Sequence, residues 1–194
     1  MSVKKQALLE TAARLFADEG YHAVGVDRIA EQSGVAKMTM YKHFASKEQL
    51  VFEVLNLNME EAQQSLEEWV MKKVGAMQRL QAVFAWQARV LKTQGNRSTL
   101  FIGAISEYHA EQNQIMDVAV TQKGRLRNFI ANLMHELFDA ETSARLARQV
   151  VMLLDGAIIA TQIGEPHAIE RDAWKAAQRL VALELASSKL NSDI

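Results

Sequence analysis

The sequence contains no cysteine and a single proline, Pro166, among 194 residues. Without cysteine, the chain can form neither a disulfide scaffold nor a metal site with thiolate ligands. No apolar run is long enough to span a bilayer, because the nearest candidate, residues 150–160, contains Asp155. We therefore expect a protein of the reducing cytoplasm that has no membrane partner.

The chain also lacks an excess of either charge, with 22 lysines and arginines against 23 acidic residues. A formal net charge of −1 gives no indication of nucleic-acid binding by itself. Between Glu31 and Glu48, however, the sequence has Lys37, Lys42 and Lys47 and no acidic residue. This local positive charge lies where contacts to DNA phosphates would need it. The alternative interpretation is that the three lysines are simply solvated on a surface helix.

The strict apolar–polar alternation of strands is missing too, and the nine glycines rarely interrupt the chain. Apolar residues recur instead at helical spacing, which predicts an all-α fold with about nine helices. The first three helices are expected over residues 4–19, 26–33 and 37–43. Ser46 and Gln49 form a capping box that starts a fourth helix, with the Gln49 side chain reaching back to the cap.

Three further expectations concern the rest of the chain. The segment 95–98, Gly-Asn-Arg-Ser, is expected to be a loop. Pro166 suits the first position of the last helix, which should extend to about residue 185. The polar tail after Ser187 is expected to fray.

Residues 26–44 show the constraints of a helix-turn-helix motif. Ile29 is an apolar anchor, Ala30 is small where two helices approach closely, and Gly34 can adopt the left-handed conformation of the turn. Val35 and Met40 then close a small core behind the second helix of the motif. Because two helices bury too little surface, the amphipathic first helix is expected to complete a three-helix domain.

The residues around this motif carry a family resemblance. The run Ala12-Ala-Arg-Leu-Phe-Ala-Asp-Glu-Gly-Tyr21, followed by Ile29-Ala30, Gly34-Val35, Tyr41, Phe44 and Ser46-Lys-Glu48, resembles the N-terminal signature of TetR-family transcriptional regulators. The resemblance implies a homodimeric repressor that binds a palindromic DNA operator and is released by a small organic ligand. It also implies a helix-turn-helix domain over residues 1–47 and a helical ligand-binding and dimerisation domain over residues 48–194.

Three positions depart from the family pattern. Gly25 stands where the family usually has Thr or Ser, and it is a poorer helix cap. A side-chain phosphate contact at this position is therefore in doubt, and Arg28 is expected to supply one nearby. Met38 occupies a position where many members have Gly, and Ala45 one where many have Pro.

Seven residues are candidates for contacting DNA, namely Arg28, Lys37, Thr39, Tyr41, Lys42, His43 and Lys47. Lys42 and His43 are candidates for base edges or adjacent phosphates, and Thr39 for a phosphate or a thymine methyl group. Tyr41 resembles the family's phosphate-contacting tyrosine. Lys47 lies at a helix N-terminus, which itself attracts phosphate. A packing role for Tyr41 and a solvated side chain for Lys42 are the alternatives.

The later helices carry more large apolar residues than one packed face requires, and this indicates an apolar cavity with a few polar groups. The candidates for contact with a small-molecule effector are Trp69, Phe84, Trp86, Gln87, Phe101, Ile105, Tyr108, His109, Gln122 and Met152. Plain core packing is the alternative for each of them, and the resemblance is the main reason to expect a pocket.

Residues 150–160 are apolar on all sides, which predicts a helix buried on more than one face. Small residues on it would allow close approach of a second helix, and the last helix offers a matching apolar face. Half of a four-helix dimer bundle is therefore expected from Gly156, Ala157, Ala160, Trp174, Ala177, Leu180 and Val181. A buried monomer core is the alternative.

Enzymatic activity has little support in the sequence. The five histidines are scattered, no HExxH pair or glycine-rich phosphate loop is present, and no cysteine nucleophile exists. We expect no catalytic residue, no metal and no cofactor. A helical adaptor bundle without DNA binding, an activator and a ligand-independent regulator are the other functions that the sequence leaves open.

Overall fold

The computed structural model describes residues 2–108, 114–164 and 169–192, and every regular element in these ranges is a helix. The helices of these ranges are α1 (Val3–Glu19), α2 (Val26–Ser33), α3 (Lys37–His43), α4 (Lys47–Val70), α5 (Ala76–Gln94), the 3₁₀ helix η1 (Gly95–Thr99), α6 (Leu100–Glu107), α7 (Gln114–Met134), α8 (Ala140–Gln162) and α9 (Ile169–Ser192). The all-α class with about nine helices is thereby confirmed.

Two expectations about the chain between and after helices were wrong. The segment 95–98 is not a loop, because it belongs to the 3₁₀ helix η1, which packs against α1. The Arg97 Nη2 atom on it donates to Asn58 Oδ1 at 3.3 Å. The tail after Ser187 is helical as far as Ser192, where α9 ends. Pro166 lies outside the described residues.

The three N-terminal helices enclose a small apolar core. Ile29 on α2, Met40 on α3 and Phe44 after α3 are all fully buried. Gly34 ends α2 with φ +66°, and the next amide, of Val35, donates to the Ala30 carbonyl at 3.1 Å. Because this left-handed conformation favours glycine, the turn can direct α3 back across α2.

The chain forms two compact units. Unit 1 comprises residues 1–62 and 94–122, and unit 2 comprises residues 63–93 and 123–194. The first 47 residues therefore share a unit with later segments, because α1 packs against η1 and α6. The boundaries of these units differ from the expected division at residue 47. That division separated a DNA-binding from a ligand-binding and dimerisation function, and it stays a prediction.

Tyr21 belongs to the apolar core of unit 1. Its side chain is 1% exposed, its ring centroid is 5.0 Å from that of Phe16, and its hydroxyl donates to the Leu100 carbonyl at 2.8 Å. Burial raises the pKa of the Tyr21 hydroxyl far above its ordinary value, so the group is a permanent donor. This bond joins the end of α1 to the start of α6.

Unit 2 is built around the pairing of α8 with α9. Leu146, Val150 and Leu154 on α8 and Ala177 and Val181 on α9 share one apolar cluster. At the edge of this pair, the Arg145 guanidinium donates two parallel bonds to the Glu184 carboxylate at 2.8 and 2.9 Å. The hydrogen bonds from Arg145 lower the pKa of Glu184.

Candidate nucleic-acid interface

The orientation of α3 follows from its buried residue. Met40 is fully buried, whereas Met38 is 73% exposed and Tyr41 is 43% exposed. Lys37 and Lys42 are exposed as well, while Thr39 and His43 are half-buried at the sides of the helix. The outward face of α3 therefore presents two lysines, a methionine and a tyrosine, and α3 itself carries no acidic residue.

Two of the predicted phosphate contacts are engaged in ion pairs within the chain. The Nζ atom of Lys37 lies 2.6 Å from Oδ1 of Asp27, and this hydrogen bond raises the pKa of Lys37. Arg28 Nη1 lies 2.6 Å from Oε2 of Glu19. Both cations remain about half exposed, so a phosphate can compete with the carboxylates for them.

The start of α4 lies beside the helix-turn-helix. The Ser46 hydroxyl accepts a hydrogen bond from the Gln49 amide at 3.2 Å, as the predicted cap requires. The Gln49 side chain does not reach back, because its amide points along the helix to Glu53. Glu48 takes part in the cap instead, since hydrogen bonds from its own amide and from Ser46 lower the pKa of its carboxyl.

The remaining predicted contacts surround this helix start. Lys47 is half-buried, and its Nζ atom donates to the His22 carbonyl at 3.5 Å. The His43 ring lies 6.3 Å from that of Phe44 in an edge arrangement. The structure thus brings all seven predicted DNA contacts onto α2, α3 and the first residue of α4.

The turn between α1 and α2 is held by a residue that sequence reasoning missed. Glu107, at the end of α6, accepts hydrogen bonds from the amides of Tyr21 and His22 at 2.9 and 2.8 Å. At Gly20, with φ +88°, an added Cβ would lie 2.9 Å from the Glu107 carboxylate. No local pattern in the sequence could have indicated this contact, because the partners are 85 and 86 residues apart.

The residues predicted to line a ligand pocket are divided between the two units. Unit 1 contains Phe101, Ile105 and Gln122, which are half-buried, and Tyr108, which is 9% exposed. Burial raises the pKa of Tyr108 to about 12. The Oε1 atom of Gln122 is buried without a hydrogen-bond partner. His109 lies outside the described residues.

Unit 2 contains the other five predicted residues, and four of them have structural partners. Gln87 donates to the Leu154 carbonyl at 2.7 Å, and Trp86 donates to the Ser65 hydroxyl at 3.0 Å. The Phe84 ring packs on Trp174, and Arg89 lies over the ring of Trp69. Met152 is 72% exposed and therefore does not line the interior of the single chain, contrary to expectation.

A cleft in unit 1 has a lining that was not predicted. It is an open cleft of about 370 Å³ between α4 and the first turns of α7. Its walls combine apolar and polar groups with one carboxylate: Phe52, Asn56, Met59, Gln114, Asp117, Val118 and Thr121. Mixed walls of this kind are typical of small-molecule sites.

The residues predicted for a dimer interface fall into two groups. Ala157, Ala177 and Val181 are buried within the single chain, so they support the α8–α9 pair rather than line an outer surface. Gly156 is exposed, and Ala160, Trp174 and Leu180 are half-buried. The outer face of α8 carries the exposed side chains of Met152, which was predicted to line a pocket, and of Ile159, which the sequence did not single out. Ile163, directly after α8, is exposed as well.

Within residues 2–108, 114–164 and 169–192, no group of three or more His, Asp or Glu side chains could hold a metal ion. In the same ranges, no helix is long and apolar enough to cross a membrane.

Residues 8–54 match the model of the family described as bacterial regulatory proteins, tetR family. The transcriptional activator FasR of Mycolicibacterium smegmatis is 35% identical over 79 residues, which are 41% of this chain and 36% of FasR. The repressor KstR2 of the same organism is 46% identical over 52 residues, which are 27% of this chain and 25% of KstR2. The chain thus spans only about a third or a quarter of these relatives.

Solved structures resemble almost the whole chain. A TetR-family transcriptional regulator from Streptomyces coelicolor superposes with a TM-score of 0.86 at 23% identity, over 92% of this chain and 94% of that one. A putative regulator from Saccharomonospora viridis, solved in complex with choline, gives 0.78 at 22% identity, over 92% and 95%. At these identities, the similarity to the two structures establishes the fold of the chain and not its function.

Proposed function

Because the chain belongs to the TetR family of transcriptional regulators, we propose that it controls transcription by binding duplex DNA through the outward face of α3. The family consists of transcription factors, which agrees with the prediction that the chain is not an enzyme. The observation that carries the proposal is the exposed face of α3, where Lys42 and Tyr41 project beside Met38 over the buried Met40. A cytoplasmic location is part of the proposal.

Binding to DNA is tested by selecting duplexes from a random pool with the purified protein. The affinity for the selected duplex is then measured by fluorescence anisotropy at several salt concentrations. Contacts to several phosphates should give a steep fall of affinity with salt, with a log–log slope of about −0.9 for each neutralised phosphate. If neither the selected pool nor the DNA beside its own gene is bound, the chain is better described as a helical adaptor.

We propose further that the regulator is a homodimer formed through the outer faces of α8 and α9. Met152, Gly156 and Ile159 recur at spacings of four and three residues, so they share one face of α8. Ile163, directly after α8, is 73% exposed, and Leu183 on α9 is 64% exposed. A two-fold axis would place two α3 helices about 34–36 Å apart for a palindromic operator. A monomeric mass in analytical ultracentrifugation at micromolar concentration would exclude this arrangement.

The cleft between α4 and α7 is our candidate for the effector site. Its volume of about 370 Å³ is within the usual range for small ligands. It pairs the Phe52 ring with the Asp117 carboxylate, the two groups that a small organic cation would meet favourably. A structural relative solved in complex with choline supports a ligand of this class.

The effector proposal is tested by thermal melting with choline and related amines. Ligand binding raises the melting temperature as the ligand concentration exceeds its Kd. The rise should disappear in Asp117→Asn and persist in Glu61→Gln, a change of an exposed carboxylate on α4 outside the cleft. If these amines neither stabilise the protein nor release bound DNA, the cleft is excluded as a site for a small organic cation.

The direction of control is proposed to be repression that the ligand relieves. The named relatives include both a repressor and an activator, so relatedness supports either direction. A reporter gene placed behind the selected operator distinguishes them. Expression that rises when the regulator is deleted supports repression, and expression that falls supports activation.

A further inference from the structure

The rotation of α3 places two side chains farthest from the protein interior. Met40 is fully buried and defines the inward direction of the helix. With about 100° of rotation per residue, Met38 and Lys42 each lie roughly 160° away from Met40, one on either side of the outermost line. Of the two outermost side chains of α3, one is therefore the charged Lys42 and the other is the apolar Met38.

Met38 is exposed among positive charges. It is 73% exposed, and its exposed neighbours on α3 are Lys37, Tyr41 and Lys42. On α2, which contacts α3, Asp27 is paired with Lys37. A positively charged surface complements a polyanion. The partner that fits Met38 and its surrounding lysines is therefore duplex DNA and not another protein.

We propose that Met38 is a specificity-determining residue that reads the C5-methyl group of a thymine in the major groove. The inference rests on the proposed DNA-binding function and adds the base that α3 selects. A thioether offers no hydrogen-bond donor and only a weak acceptor, so it cannot read the N7 and O6 atoms of guanine. The thymine methyl is the apolar group on the major-groove edge of the four base pairs.

The chemistry of methionine also fits this role. Its unbranched side chain can adjust to the position of a methyl group on a groove floor. Lys42, about one turn further along α3 and on the other side of the outermost line, can reach guanine or a phosphate near that thymine. Each operator half-site is therefore expected to contain a thymine, read by Met38, close to the guanine or phosphate that Lys42 contacts.

The experiment replaces each thymine of the selected operator with deoxyuridine, one position at a time. Deoxyuridine keeps the pairing and the O4 acceptor and removes only the methyl group. At the position read by Met38, the natural protein should bind about fourfold more weakly, which corresponds to one buried methyl-sized group at ~0.8 kcal/mol. Replacement in both half-sites should weaken binding by about tenfold or more.

The variant Met38→Ala closes a double-mutant cycle with this substitution. In Met38→Ala, deoxyuridine and thymine at that position should bind equally, while the salt dependence stays that of the natural protein. Because Met38 is exposed, the variant is expected to fold. Met71→Ala is the matched control, since Met71 is 56% exposed and lies after α4, far along the chain from α3.

Thr39 is the competing reader of a methyl group, because its own side chain carries one. If Thr39→Ser abolishes the sensitivity to deoxyuridine and Met38→Ala keeps it, the assignment to Met38 is overturned. A selected operator whose affinity does not depend on any thymine methyl also overturns it while the DNA-binding function stands. Failure to select any duplex overturns the proposed function itself.

A second variant tests the assignment by changing the base that is preferred. A glutamine side chain can bond to adenine N6 and N7 in the major groove. Selection with Met38→Gln should therefore move the preference at this one position from thymine to adenine, with the other positions unchanged. An unchanged thymine preference in Met38→Gln would contradict the proposal.

Discussion

The Glu107 carboxylate holds His22 by two contacts. Its Oε2 atom accepts a hydrogen bond from the His22 backbone amide at 2.8 Å and lies 2.9 Å from Nδ1 of the imidazole. The His22 ring also packs against Tyr108, with the ring centroids 5.1 Å apart. Because His22 lies only a few residues before α2, a side chain at the end of α6 fixes the point from which the helix-turn-helix begins.

Replacing Glu107 with glutamine should destabilise the protein. Glutamine has one acceptor oxygen and no charge, so it cannot serve the Tyr21 amide, the His22 amide and the imidazole together. We expect the free energy of unfolding to fall by about 1–3 kcal/mol in urea denaturation at pH 7. The control Glu61→Gln, on the exposed side of α4, should change it by less than about 0.5 kcal/mol.

The contribution of Glu107 should depend on pH. Burial opposes ionisation of this carboxylate, but the hydrogen bonds from the His22 and Tyr21 amides outweigh it and lower the pKa of Glu107 from 4.5. A carboxyl with a lower pKa in the folded chain stabilises the fold above the unfolded pKa, and this stabilisation is lost as the pH falls through the folded pKa.

The stability difference between the natural protein and Glu107→Gln should therefore be present at neutral pH and shrink below about pH 4.5. Comparing the two proteins cancels the parallel effects of Asp139 and Glu184, whose pKa values are also lowered. Urea denaturation between pH 7 and about pH 3 measures the difference. A difference that persists unchanged at the acid end would contradict this account.

Lys42 should contribute more to DNA binding than Lys37, because Lys37 must leave Asp27 before it meets a phosphate. Lys42→Ala should weaken binding and reduce the slope of affinity against salt by about one unit for each lost contact. Asp27→Asn should strengthen binding by roughly two- to fivefold at low salt, since it releases Lys37 and removes a negative charge. Equal effects of Lys37→Ala and Lys42→Ala would show that the ion pair has no influence.

The two glycines at the ends of α2 should respond oppositely to substitution. Gly25 is the N-cap at φ −82° with no side-chain cap, and an added Cβ would meet no atom within 4 Å. Gly25→Ser should stabilise the fold by about 0.5–1 kcal/mol through a cap and a stiffer unfolded chain. Gly34→Ala should destabilise it by about 1–2 kcal/mol, because alanine is strained at φ +66°. Thermal and urea denaturation give both values.

A charge on the outer face of α8 should separate the proposed dimer. Ile159 is 49% exposed in the single chain, so Ile159→Glu leaves the monomer core intact. Burying the carboxylate in the interface should weaken the dimer by about 2 kcal/mol or more, roughly thirtyfold in Kd. Sedimentation velocity measures the dimer, and DNA affinity should fall with it. Val120→Glu, at an exposed apolar position on α7, is the control that should remain dimeric.

The N-terminal helices could be predicted from sequence because their signals are local. The apolar stripe of α1, the glycine at residue 34 and the Ser46 cap each act within four residues, and all three lie where they were expected. The exposed face of α3 was predicted only in part. Lys42 and Tyr41 were chosen as candidates, whereas Met38 was noted as a departure without a role, since its exposure depends on which side of α3 the core occupies.

The features missed by sequence reasoning depend on contacts between distant segments. Glu107 looks like any exposed acid at a helix end until the fold brings it to the α1–α2 turn. Met152 was predicted to line a pocket because it lies in an apolar run, yet the packing of α8 on α9 leaves its side chain exposed. Residue type alone cannot separate a buried apolar side chain from one that awaits a partner.

The ion pairs of Lys37 and Arg28 have a consequence for the search for an operator. Attraction to phosphates holds a regulator on any DNA, and a surface whose cations already face carboxylates holds random sequence less firmly. Fewer copies of the regulator are then retained at the great excess of unrelated sites. A nearly neutral DNA-binding segment thus shortens the time that the regulator spends on unrelated DNA. More regulator molecules are then free to bind the operator.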